Sequence, residues 1–179
     1  MKKLLLAVIL MFLITGCDNN MDSPTKKVET YFNQYQTLDK SVLDDLDRVL
    51  ANDTSIDANA KKDYRDFMKS HYQDLDYTII NETINKDKAT VTVDVTVKNY
   101  AKKLSDISIY KNNNPNEFNN ENEEYDIGLF SAYRLKELKK VTDTMTYRLD
   151  ITLTKINGVW QIDELSDADL NKINGLYAR

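Results

Sequence analysis

The chain reads as an α+β domain in which N-terminal helices pack on a curved four-stranded antiparallel sheet made of two hairpins, with further helices inserted between the hairpins. Three observations predict this. From residue 23 to about residue 71, apolar residues recur with the 3.6-residue helical period. Over residues 89–97 and 145–153 the period becomes two, apolar against polar at every step, as in strands with one face in a core and one in water. Asn157-Gly158, between two apolar runs, is a strong hairpin signal because both residues accept the positive φ of a type I′ turn.

Each element follows from its residues. Ser23 is a favoured N-cap, and Pro24 suits the first helical position, where its missing N–H has no partner to lose. Val28, Tyr31, Phe32 and Tyr35 then form an i, i+3, i+4, i+7 stripe. A second amphipathic segment carries Val42, Leu43, Leu46, Val49 and Leu50, and polar residues 52–57 read as a loop. A third helix is expected from about Ala58 to His71, with Tyr64, Phe67 and Met68 on its buried side. Tyr77 to Ile84 is rich in β-formers, and Asn85-Lys86-Asp87-Lys88 is a turn. Ala89, Val91, Val93, Val95 and Val97 alternate with polar residues in the strand that follows.

Between the hairpins the chain turns helical again. Leu104, Ile107 and Tyr110 predict a helix ending before Asn112, and Leu129, Phe130, Tyr133, Leu135 and Leu138 predict another from about Tyr125 to Lys140. The Asn- and Glu-rich stretch from Asn112 to Glu124 is expected to be a mobile loop. Met145, Tyr147, Leu149, Ile151 and Leu153 form the inward face of the third strand. Val159 to Leu165 returns as the fourth, with Trp160 and Ile162 inward. Ser166 caps a short last helix with Leu170 and Ile173, and Asp169 stands where a capping box would place Glu.

The N-terminus carries a different message. Lys2 and Lys3 precede an apolar run from Leu4 to Ile14, too short for the roughly 20 residues of a spanning helix. Basic, apolar and then small residues are the layout of a secretory signal peptide. The run ends in Leu13-Ile14-Thr15-Gly16-Cys17, and its last four residues resemble the bacterial lipoprotein box. That resemblance implies a signal peptide at residues 1–16, cleavage before Cys17 and a diacylglyceryl group on its sulfur. Residues 17–22 would be a lipidated tether and residues 23–179 one domain. Two acyl chains anchor a protein stably where one does not. Asp18 and the abundance of Asn and Lys fit either a Gram-negative inner-membrane protein or a low-GC Gram-positive one, and both end on the outer face of the cytoplasmic membrane.

Cys17 is the only cysteine, so a disulfide has no partner residue within the chain. Cleavage leaves 163 of the 179 residues, enough for one core, and takes the formal charge from −5 to −7. Such an acidic body disfavours nucleic acid as a partner and is repelled as a whole by an anionic membrane surface. The element order and the tail Trp160-Gln161-Ile162-Asp163-Glu164-Leu165 resemble the small lipoproteins of the nuclear-transport-factor-2-like (cystatin-like) superfamily. The resemblance implies a curved sheet wrapped around helices with a conical pocket, a frame that serves binding proteins and enzymes alike.

The residues name no catalytic site. His71 is the only histidine and sits at a predicted helix end, where a partly exposed imidazole suits the negative end of the dipole. Residues 117–126 are acidic but lack the spaced ligands and turn glycine of a calcium loop. There is no phosphate-binding glycine loop and no nucleophile elbow. Tyr31, Tyr35, Tyr64, Tyr147 and Trp160 fall on inward faces, as core or as pocket lining. The superfamily's isomerases and dehydratases use Tyr or Asp at the pocket mouth, but Asp94 and Asp150 alternate outward here. The expectation is a surface lipoprotein that binds a cell-envelope protein or a small apolar ligand, with no cofactor. A small pocket enzyme is the alternative. An importer binding subunit is a third reading, for which 163 residues is short.

Overall fold

The structure, a computed structural model, describes residues 22–178. Cys17, the expected signal peptide and most of the expected tether lie outside the described residues. The elements run α1 (Pro24–Gln36), α2 (Lys40–Asn52), α3 (Lys61–Gln73), β1 (Asp76–Asn85), β2 (Lys88–Lys98), α4 (Tyr100–Asn113), a 3-10 turn (Pro115–Phe118), α5 (Ile127–Leu138), β3 (Thr144–Ile156), β4 (Val159–Ile162) and α6 (Asp167–Ile173). Ser23 caps α1 as its sequence predicts, its hydroxyl accepting from Lys26 N–H at 3.1 Å. Ser166 caps α6 in the same way and also donates its hydroxyl to Asp169 at 2.7 Å.

The sheet is open and antiparallel in the order β1-β2-β3-β4. Two hairpins flank a central β2–β3 pairing that runs in unbroken register from Lys88↔Thr154 to Lys98↔Thr144. Asn157 and Gly158 take φ of 52° and 84°, as the hairpin signal requires. β1 slips register between Ile79 and Asn81, a bulge that breaks the regularity of an exposed edge.

Two apolar cores form. In the first, Val91, Val93, Val95, Leu149, Ile151 and Leu153 pack against α1 through Val28 and Phe32 and against α6 through Ile173. The sheet's other face is polar. Thr92 donates to Asp150, Arg148 forks onto Asp94 with both contacts at 2.7 Å, and Thr96 meets Thr146. In the second core, Leu46 and Leu50 of α2 and Tyr64 of α3 meet Ile107 of α4 and Leu135 and Leu138 of α5.

Several expectations need correction. The stretch 112–124 is ordered: Phe118 is 3% exposed and meets Phe130 edge-on at a ring distance of 5.2 Å and a tilted Tyr133 at 5.3 Å. Asn119 and Tyr125 close it with an isolated bridge. One aromatic ring, outweighed in composition by eleven Asn and Glu neighbours, sets the conformation. Val49, Leu129 and Leu170 are 51%, 46% and 37% exposed, because each helix buries a narrower stripe than its apolar positions span. Ile56, within the expected loop, is buried. β4 stops at Ile162, three residues short of the run to Leu165, and α3 begins at Lys61 rather than Ala58.

Candidate functional site

His71 lies at the junction of the two cores. It is 2% exposed rather than partly exposed, with Tyr72 and Tyr100 beside it at ring distances of 5.9 and 5.3 Å. Neither ring nitrogen makes a hydrogen bond among the described residues. The dipole argument placed His71 correctly at the end of α3. The burial comes from α4 and α6, which close over the helix end, and no local sequence signal reports that. Burial depresses the imidazole pKa to about 4, against an opposing pull from the Ile173 backbone carbonyl and the Asp74 carboxylate. The ring is therefore neutral at physiological pH.

Beside Tyr100 the chain is held by a glycine. Gly175 ends α6 at φ +66°, with Leu176 N–H reaching Asn171 O at 2.8 Å and Gly175 N–H reaching Lys172 O at 3.1 Å, a Schellman stop. The Gly175 carbonyl then accepts from Tyr100 and Ala101 N–H at 2.9 and 3.0 Å. These are first-turn donors of α4, whose preceding residue Asn99 offers no side-chain cap. A Cβ at Gly175 would come within 2.0 Å of Lys98 O. Sequence reading passed over Gly175, although a glycine just beyond an apolar helix is a recognisable stop signal.

Above this junction opens a groove of about 440 Å³ between α3, the end of β2, the start of α4 and the end of α5. Phe67, Tyr100, Leu138 and Val141 supply apolar walls, and Ser70 and Thr142 supply hydroxyls. Asp66, Asp74, Lys98 and Lys139 bring both signs of charge. Of these, only Asp66 is in an ion pair among the described residues, at 3.9 Å to Lys69. The groove is thus amphipathic and electrically balanced, with a neutral imidazole at its margin. It suits a small ligand that combines an apolar body with polar ends better than a purely apolar one.

The tyrosines divide between roles. Tyr64 and Tyr147 are core, as is Trp160. Tyr31 and Tyr35 are half-buried, with their hydroxyls 3.4 Å apart, and Tyr35 meets Tyr72 edge-on at 5.1 Å. Burial pushes the Tyr31 phenol above its ordinary range and those of Tyr72 and Tyr100 up to about 12, so all three stay neutral. Tyr110 meets a carboxylate, donating to Glu117 at 2.8 and 2.9 Å, but at the surface rather than in a cavity. Tyr64 is engaged by Arg134 at 2.6 Å and by the Ser131 carbonyl at 3.2 Å. Asp94 and Asp150 face outward, as the alternation requires.

Among the described residues no three His, Cys, Asp or Glu side chains come together as a metal site, and no helix is long and apolar enough to cross a membrane. A conical pocket would have to open against the inner face of the sheet. That face is filled: its six central side chains are at most 2% exposed.

No protein-family model and no curated protein matches the chain. Among solved structures it is similar to a candidate lipoprotein, ycdA, of Bacillus subtilis subsp. subtilis str. 168, at 14% identity and a TM-score of 0.38. The match covers 88% of this chain and 51% of the other, so the chain spans about half of that protein's length. At this TM-score the two backbones share too little for the likeness to bear on function.

Proposed function

We propose that the chain is a lipid-anchored protein of the outer face of the cytoplasmic membrane, whose domain binds a small ligand or a cell-envelope protein without transforming it. The observation that carries the anchor is the run from Lys2 to Cys17, in which every residue class falls where a lipoprotein precursor needs it. The binding role is supported by the amphipathic groove over His71. A filled inner sheet face moves the expected site from a cone against the sheet to this groove between helices. The kinship with the nuclear-transport-factor-2-like superfamily stays within this reading as a resemblance of element order.

The alternative is a small isomerase- or dehydratase-like enzyme. The feature that favours it is a neutral imidazole beside Asp74 at the margin of the groove. One pair of experiments tests both levels. Cells fed radiolabelled palmitate should label the wild-type chain and not Cys17→Ala, which should accumulate as precursor. Label on the variant would refute the anchor. A melting screen of small envelope-derived molecules should find a stabilising ligand whose effect disappears in Ser70→Trp, which fills the groove. Stabilisation that survives this change would place binding elsewhere, and a ligand recovered chemically altered would favour the enzyme.

A further inference from the structure

Five covalent steps separate Cys17 from Asp22. Fully extended at about 3.6 Å each, they reach no more than ~18 Å. A lipid on Cys17 therefore holds the end of the domain that carries Asp22 within that distance of the bilayer. Hydrogen bonds identify this end. Asp22 accepts from Trp160 N–H at 3.2 and 3.3 Å and pairs with Lys27 at 3.3 Å. Thr25, in the first turn of α1, donates its N–H and its hydroxyl to Glu82 of β1 at 2.8 and 2.7 Å. Lys155 N–H reaches Asp87 O at 2.8 Å, tying the tip of the β3–β4 hairpin to the β1–β2 turn. Both hairpin tips and the start of α1 thus share the end nearest the tether.

The side chains at that end suit a membrane interface more than bulk water. Ile84 is 51% exposed, and Ile156 and Val159, the cross-strand pair flanking Asn157-Gly158, are each 45% exposed. Lys86, Lys88 and Lys155 flank them along the chain. Among the described residues Asp87 is the one carboxylate at the tips without a partner. Glu82 is engaged by Thr25, Asp22 by Lys27 and Trp160, and Asp163 by the Thr154 hydroxyl at 2.6 Å. The domain as a whole is acidic, whereas at this end Lys27, Lys86, Lys88 and Lys155 offset Asp22, Glu82, Asp87 and Asp163 and leave the tips near neutral and apolar. Exposed aliphatic side chains flanked by lysines match the boundary between headgroups and acyl chains, where the lysine stems lie along apolar surface and the ammonium groups reach phosphate.

We infer that the two hairpin tips, through Ile84, Ile156 and Val159, dock into the headgroup region of the bilayer that holds the anchor, and so fix the orientation of the domain. The groove over His71 is lined by the other end of β2 and therefore faces away from the membrane. This inference rests on the reading of Cys17 as the anchor.

The test uses the lipidated full-length mature protein in vesicles of phosphatidylcholine and phosphatidylglycerol. An environment-sensitive fluorophore goes on Ile156→Cys, and in a separate protein on Asp143→Cys, some 40 Å away along β3 at ~3.3 Å per residue. Spin-labelled lipid is the quencher. Docking predicts several-fold stronger quenching at 156 than at 143, and loss of that difference when Ile84 and Val159 are both changed to Asp. A lipidated protein that floats with the vesicles but is quenched equally at both positions overturns the docking face alone. A protein that carries no lipid and stays at the bottom of the gradient overturns the anchor and the docking face together.

Discussion

His71, the only histidine, makes the stability of this domain depend on pH between about 4 and 6.5. The imidazole has a pKa of about 4 in the folded protein, and an unfolded histidine titrates near 6.5. Folding thus opposes protonation. Stability is complete above the unfolded value and falls as pH drops from there towards the folded value. Linkage gives a loss of about 2 kcal/mol between pH 7 and pH 5, and about 3 kcal/mol once both forms are protonated. Asp74, the carboxylate facing the ring, pulls the other way and is already included in the folded value. His71 is the only histidine, so comparing wild type with a variant lacking it isolates its share of the slope. His71→Phe should remove it. The same change keeps a ring of similar size in the buried site while removing the group that titrates, so the variant should remain folded at neutral pH. Urea denaturation followed by far-UV circular dichroism at half-unit steps of pH measures both effects. Equal slopes for wild type and variant between pH 7 and pH 5 would refute the burial argument.

Three further outcomes follow from other parts of the structure. Phe118→Ala removes a ring buried among Phe130, Tyr133 and Tyr110 and should cost ~3–4 kcal/mol in urea midpoint terms. Trp160→Ala should cost ~3–5 kcal/mol, and a native-like melt of that variant would contradict the register of the second hairpin. Gly175→Ala forces an L side chain into positive φ and against Lys98 O, so its melting temperature should fall by the equivalent of about 2 kcal/mol or more, without the compensation that alanine brings to an ordinary helix.

Much of the fold could be read from the sequence because its signals are local and redundant. Five alternating positions from Ala89 to Val97 put five apolar side chains on one face, and a one-residue slip would have exposed them all. Ser23-Pro24 and Asn157-Gly158 each fix a boundary through backbone chemistry that few other residues satisfy. What stayed hidden depends on contacts between distant segments. Phe118 looks like a stray aromatic until α4 and α5 close around it. His71 looks like a helix-end histidine until residues 100 and 173 cover it. The groove combines residues from four elements, so none of them stands out in its own segment.

The carbonyl of Gly175 has a consequence for how the chain folds. It caps a helix that begins at Tyr100, so the first turn of α4 has to wait for a residue far downstream in the sequence. The β2–β3 ladder waits in a similar way, since its strands close around the whole helical insert of residues 99–143. Contacts of such high sequence separation carry loop-closure entropy and slow folding. A chain fed through a membrane from its N-terminus would hold α1 to α3 and the first hairpin without a finished sheet until its tail arrived. Both apolar cores would meanwhile be open. Helix α6 then acts as a latch that makes the domain fold all at once or not at all, and chains cut short before residue 175 should be left as substrates for chaperones and proteases.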